Sequence, residues 1–69
     1  MKKLYYTIHP NYHCRELHIY EIVDNVPVLF EEATGETYED SEDEDKANIQ
    51  KHLAEEKGLA ESDYTLTLL

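Results

Sequence analysis

Apolar and polar residues alternate with a period of two in three segments of the chain, residues 3–8, 16–23 and 26–30. In the first segment, Leu4, Tyr6 and Ile8 fall on one face. A period of two in residues of high β-propensity predicts β-strands. The second segment carries apolar residues on both faces, which is typical of a central strand and leaves open which face packs against a helix. A β-bulge near Glu21 would reconcile its pattern.

Turn-forming residues separate and end these strands. Asp24 and Asn25 lie between two apolar segments and predict a two-residue hairpin turn, because Asn tolerates a positive φ. Pro27 lacks a backbone N–H, so we expect the third strand at an edge of the sheet. Residues 31–38 are expected to leave the sheet, with Gly35 as the turn residue.

Residues 42–57 carry the sequence signals of an α-helix. Ser41 is a good N-cap, and Glu44 three positions later completes a capping box. Gly58 is expected to end the helix, with Leu59 making an apolar contact beyond it. The predicted apolar stripe is weak and consists of Ala47, Ile49, Leu53 and Ala54.

A fourth strand follows the helix, because Tyr64, Leu66 and Leu68 alternate with two threonines. The predicted fold is therefore a single α+β domain over residues 1–69 with the order β-β-β-α-β. The fourth strand should run parallel to the first, which gives a four-stranded mixed sheet in the order 3-2-1-4. One face of the sheet should pack against the helix. The other face bears several Tyr and Thr side chains and is exposed to water or covered by a partner.

The composition narrows the function classes. The 69 residues include 16 acidic and 6 basic side chains, a formal net charge of −10. An isoelectric point of about 4.6 argues against direct nucleic-acid binding, and no apolar stretch approaches the roughly 20 residues of a membrane span. A chain of this size rarely encloses a small-molecule pocket, so we expect no enzyme activity and no cofactor. Cys14 is the only cysteine, which excludes an internal disulfide and predicts a reducing, cytoplasmic compartment.

Nearly all of the negative charge lies in residues 31–45, here called the acidic segment. It contains nine acidic residues and no basic one, whereas the rest of the chain has a net charge of −1. Two interpretations stay open: a solvated loop followed by a helix N-terminus that favours negative charge, or a docking surface for a basic partner protein. A calcium loop is not supported, since Asp45 and Lys51 stand where an EF-hand pattern counted from Asp40 needs Gly and Glu.

Under the docking interpretation, the carboxylates of the acidic segment surround Tyr38, which would serve as an aromatic anchor. The predicted partner-binding residues are Glu36, Tyr38, Glu39, Asp40, Glu42, Asp43, Glu44 and Asp45.

A second group of side chains has metal-binding chemistry. His9, His13, Cys14 and His18 are all zinc-competent ligands. Their spacing is unlike the paired ligands of structural zinc sites, so no metal site is predicted and the four remain weak candidates. Cys14 beside His13 does not indicate a catalytic pair either, because no oxyanion donor or orienting group accompanies it.

These features predict a non-enzymatic interaction module that occupies a basic surface of another protein, by imitating the charge of a nucleic acid. In size and charge alone, the chain is similar to small acidic proteins of phages and mobile elements that block nucleic-acid enzymes. This similarity assigns no site. Two alternatives stay open: a structural or metal-binding domain organised by the His/Cys hairpin, and a homodimeric subunit that pairs through its Tyr-bearing sheet face or an edge strand. We expect a monomer or a weak homodimer, with no membrane contact.

Overall fold

The computed structural model describes residues 1–10, 15–35 and 42–69. The elements are β1 (Lys2–Pro10), β2 (Arg15–Val23), β3 (Val26–Gly35), α1 (Glu42–Lys57), a 3₁₀ turn (Glu61–Asp63) and β4 (Tyr64–Leu68). The strands form one mixed sheet in the order β3-β2-β1-β4, in which β1 is antiparallel to β2 and parallel to β4. The predicted α+β fold and its strand order are confirmed.

One face of the sheet packs against α1 and forms the core. Side chains alternate between the two faces along each strand, and laterally paired residues share a face. The ladder places Tyr6 of β1 beside Ile19 of β2, and both side chains are completely buried. The face that the sequence left open is therefore the one bearing Leu17 and Ile19. The buried core consists of Leu4, Tyr6, Leu17, Ile19, Ala33, Ile49, Leu53 and Tyr64.

The helix α1 reaches this core through residues spaced four apart, which lie on one helix face. Asp45, Ile49 and Leu53 are all buried along this line. Ala47 and Ala54 are exposed, so their place in the predicted apolar stripe is wrong. The buried face of α1 therefore includes the carboxylate of Asp45 and excludes both alanines. Among the described residues, no helix combines the length and the apolar content that a membrane span requires.

The helix ends at Lys57, as predicted. Gly58 has a φ of +65°, the left-handed conformation that glycine adopts at little steric cost. The N–H of Leu59 then donates to the carbonyl of Leu53 at 3.2 Å, and the Leu59 side chain packs against the core. The predicted N-cap, Ser41, lies outside the described residues.

Asp24 and Asn25 form the predicted two-residue turn of the β2–β3 hairpin. Their φ angles of 52° and 65° are those of a type I′ turn, whose twist matches the twist of the flanking strands. Pro27 follows the closing pair Val23–Val26, so its nitrogen points away from β2 and no ladder hydrogen bond is lost. β3 is an edge strand, as predicted from Pro27.

β3 continues further than predicted. Residues 31–35 were expected to leave the sheet at a turn around Gly35, and this prediction is wrong. Ala33 pairs with Leu17 and is buried, and the ladder extends to the pair Arg15–Gly35. Burial of Ala33 beneath α1 stabilises pairing in a segment that is otherwise polar.

A β-bulge allows this extension. Ile19 pairs with Glu31, whereas Tyr20 pairs with Leu29, so Phe30 is an extra residue in β3. The register shift lies between Ile19 and Tyr20, next to the predicted position near Glu21, and the extra residue is in β3. Since a one-residue insertion changes which side chains face the core, the bulge brings the later part of β3 into register with the buried side chains of β2.

The β2–β3 hairpin extends beyond α1. The last turn of α1 lies beside Glu31, whose carboxylate is 3.8 Å from Nζ of Lys57. Between this level and the turn, five large aliphatic side chains are 41 to 56% exposed. These residues, here called the hairpin end, are Ile22, Val23, Val26, Val28 and Leu29.

Candidate functional site

The acidic segment is the surface on which the sequence places the partner-binding residues. Four of the eight predicted residues lie outside the described residues. They are Glu36, Tyr38, Glu39 and Asp40. The described acidic residues fall in two places, one on β3 and one in the first turn of α1.

Glu31 of β3 belongs to a group of contacts beside α1. Its Oε1 lies 3.7 Å from Nε2 of His52, and its Oε2 lies 3.8 Å from Nζ of Lys57. The backbone N–H of Glu32 also donates to Oε1 at 3.0 Å. This N–H is the largest cause of a lowered pKa at Glu31; partial burial opposes it, and His52 and Lys57 add to the lowering. Glu31 thus connects β3 to the helix, while the neighbouring Glu32 is exposed.

The first turn of α1 carries Glu42, Asp43, Glu44 and Asp45 in succession. The first three side chains are exposed, whereas Asp45 is completely buried. Glu42 forms an i,i+4 ion pair with Lys46, with 3.4 Å between Oε1 and Nζ. Because Asp45 faces the core, the exposed acidic surface of this turn consists of Glu42, Asp43 and Glu44, here called the acidic turn.

The helix N-terminus favours the charges of the acidic turn. The helix dipole places about half a positive charge at this end, which favours nearby carboxylates. The carboxylates are therefore stable in an exposed position. Their exposed side chains lie where a Lys or Arg side chain of another molecule can approach them.

Two of the four weak metal candidates are described. The rings of His9 and His18 stack with centroids 4.0 Å apart, and Nε2 of His9 lies 2.7 Å from Oγ1 of Thr7. Nε2 of His18 lies 3.8 Å from a carboxylate oxygen of Glu16. His13 and Cys14 lie outside the described residues. No group of three potential ligands occurs in the part of the chain that the structure describes.

An open concavity of about 690 Å³ lies beside the first residues of β1, at the base of the hairpin end. It is lined by Met1, Lys2, Lys3, Tyr5, Glu21, Ile22 and Asp63. The lining charges have both signs, and Nζ of Lys2 bonds to Oε2 of Glu21 at 3.2 Å. Sequence patterns did not indicate this concavity, because it depends on how β1 and the hairpin meet in space.

Comparison with protein-family models, with curated proteins and with solved structures gives no match for this chain. Its function is therefore inferred from its own residues.

Proposed function

We propose that this protein is a non-enzymatic interaction module that binds a basic surface of a protein partner through its acidic segment. The observation that carries the proposal is the separation of charge along the chain: residues 31–45 hold −9 of the net charge of −10. The acidic turn is exposed at the start of α1. Near the sheet, by contrast, acidic side chains lie close to basic ones, as in the pair Lys2–Glu21.

Concentrated charge is costly to a small domain, because like charges repel in the compact state. A helix N-terminus offsets part of this repulsion, but only within its first turn. The acidic segment is longer than one turn, since its first acidic residue is Glu31 and its last is Asp45. A docking role accounts for the clustered charge, because a patch of one sign attracts an oppositely charged partner and accelerates association.

A nucleic-acid-binding protein is the kind of partner whose surface fits such a segment. Duplex DNA presents one charge about every 1.7 Å along its axis, and proteins that bind it carry clustered Lys and Arg. Apart from Asp45, which is buried, and Glu31, which contacts α1, the segment has seven carboxylates within residues 32–44, and this is still a high density of negative charge over a short distance. We therefore propose a basic groove as the target, and the single cysteine favours a reducing, cytoplasmic setting.

The test neutralises part of the acidic segment without changing side-chain size. The variant contains Glu36→Gln, Glu39→Gln, Asp40→Asn and Asp43→Asn. We expect its thermal unfolding to resemble that of the wild type, while capture of partners from a lysate of the native host falls steeply. The loss should come mainly from slower association, and wild-type binding should weaken as salt rises, because exposed charges are screened over about 8 Å at physiological ionic strength.

A control variant has the same net charge but an intact acidic segment. It contains Glu16→Gln, Glu55→Gln, Glu56→Gln and Glu61→Gln, all at exposed positions. This variant should capture the same partner as the wild type does. Equal losses in the two variants would show that net charge, and not the acidic segment, governs binding. Tyr38→Ala should instead speed dissociation, as the loss of an aromatic anchor does.

A further inference from the structure

Within the described residues, β3 and β4 are the edge strands of the sheet, and they differ in how their outer edges are protected. An edge strand presents unpaired N–H and C=O groups on which another chain can pair. β3 is protected, because the nitrogen of Pro27 faces outward and the bulge at Phe30 interrupts the edge. β4 has neither device. Residues 64–69 contain no proline and no charged side chain, although the chain as a whole is rich in acidic residues.

One hydrogen bond identifies which backbone groups of β4 face β1 and which face the outer edge of the sheet. The N–H of Leu69 donates to the carbonyl of Tyr6 at 2.9 Å, in register with the pair Tyr6–Leu68. Backbone groups of successive residues alternate between the two sides of a strand, so the residues two and four positions before Leu69 also face β1. The residues whose N–H and C=O groups face the free edge are Tyr64, Leu66 and Leu68.

We propose that β4 pairs with β4 of a second copy of the chain, antiparallel about a two-fold axis at Leu66. In this register Leu66 faces Leu66 of the second copy, and Tyr64 faces Leu68. Each of the three outward-facing residues then donates one backbone hydrogen bond and accepts one. The two four-stranded sheets become one continuous sheet, and the interface uses the same strand of both copies, as two-fold symmetry requires.

The side chains of β4 suit pairing with themselves. Leu66 and Leu68 share the helix face with the β1 residues beside them, and Leu68 is 40% exposed. Across the proposed interface they meet apolar side chains on that face. On the opposite face Thr65 meets Thr67 of the second copy, a pair that is favourable across antiparallel strands.

The absence of charged side chains from β4 permits a second copy as the occupant of this edge. Two chains of net charge −10 repel each other, so a contact between copies requires an uncharged surface. The acidic residue nearest to β4 in the sequence, Asp63, is three positions from the proposed axis. The two Asp63 residues would then be about 20 Å apart at 3.4 Å per residue, beyond the screening length of about 8 Å. A strand of five residues makes a small interface, so we expect a weak dimer in the micromolar to millimolar range.

Self-association of this kind is independent of the proposed partner binding, and salt distinguishes the two. Raising salt screens the repulsion between copies and should strengthen the dimer, whereas it should weaken binding to a basic partner. In sedimentation equilibrium, the wild type should rise from the monomer mass of 8.1 kDa toward twice that value with concentration, and more readily at high salt. A wild type that stays monomeric at millimolar concentration in both salts would overturn the proposal.

Leu68→Pro tests the role of the edge. The substitution removes an outward N–H, while the bond from Leu69 to Tyr6 leaves β4 paired with β1. We expect this variant to remain monomeric at concentrations where the wild type and the control Leu68→Val are dimeric. Dimerisation of a folded Leu68→Pro variant would contradict the proposal.

Cysteine crosslinking tests the register and does not depend on the proline variant. In a Cys14→Ser background, Thr65→Cys and Thr67→Cys are made as separate single variants. The register places these positions opposite each other in a non-hydrogen-bonded pair, with Cα atoms about 4.5 Å apart, a separation that a disulfide can bridge. Oxidation of the mixed variants should give a covalent dimer, and oxidation of either variant alone should not. Crosslinking of one variant with itself, or none in the mixture, would contradict the register.

Discussion

The β2–β3 hairpin has two halves with similar residues and opposite environments. In the half beside α1, Leu17 and Ile19 of β2 are completely buried. In the hairpin end, Val23, which lies on the same face of the same strand, is 45% exposed. Both halves contain aliphatic residues of high β-propensity, and both form regular pairs with β3. Burial therefore depends on which part of the hairpin α1 covers, and not on the residues themselves.

The position of α1 along β3 explains where the covered half stops. The last turn of α1 lies beside Glu31, because Nζ of Lys57 is 3.8 Å from its carboxylate. The five residues 26–30 of β3, about 16 Å at 3.3 Å per residue, therefore extend past the end of the helix. This part of the hairpin leaves apolar side chains in contact with water.

The largest expected effect comes from truncating one helix-face side chain to alanine in each half. Ile19→Ala should lower the free energy of unfolding by about 2–5 kcal/mol, because it leaves a cavity in the core. Val23→Ala, four positions along the same strand and on the same face, should cost less than about 1 kcal/mol, since the side chain is already in contact with water. Urea unfolding of the two variants measures the difference. Equal costs would mean that the hairpin end is packed as tightly as the core.

A smaller effect is expected at the boundary between the halves, where Glu31 contacts His52 and Lys57. The pKa of Glu31 is lowered by folding, so its contribution to stability is present above its ordinary pKa of 4.5 and is lost as the pH falls through the folded value. Stability measured from pH 7 to pH 3 should therefore fall less in Glu31→Gln than in the wild type. Parallel pH profiles would exclude Glu31 as a source of acid sensitivity.

The smallest effect is expected within the hairpin end. Val26→Thr keeps the branched shape and exchanges an exposed methyl group for a hydroxyl, so the free energy of unfolding should change by less than about 0.5 kcal/mol. Thermal unfolding measures this change, and a low protein concentration keeps the protein monomeric. A loss of more than about 1 kcal/mol would show that Val26 is covered.

Local sequence signals predicted the helix well and the length of β3 poorly. The acidic first turn and Gly58 are signals within a few residues of the helix ends, and the observed bounds of α1 agree with them. Gly35 resembled a turn residue by the same local logic. It remains in the sheet because the bulge at Phe30 restores register with β2, a long-range effect that no local signal carries.

The candidate site shows the same limit. The count of acidic residues identified the charged segment, but it treated all nine carboxylates alike. The fold separates them: Asp45 is buried on the core line of α1, Glu31 contacts the helix, and Asp43 is exposed. The i,i+4 spacing of Asp45 from Ile49 was the available signal for its burial. Because a carboxylate is seldom found on a buried face, this spacing alone does not predict the burial of Asp45.

The strand order has a consequence for the order in which the protein assembles during synthesis. β1 is an inner strand, with β2 on one side and β4 on the other. Since β4 follows α1 in the chain, the ribosome releases the three-stranded meander before the helix and before the strand that completes the sheet. Until α1 is synthesised, the apolar face of the three strands is exposed to water. Until β4 is synthesised, one edge of β1 is unpaired. The nascent chain is therefore prone to aggregate until β4 has paired with β1.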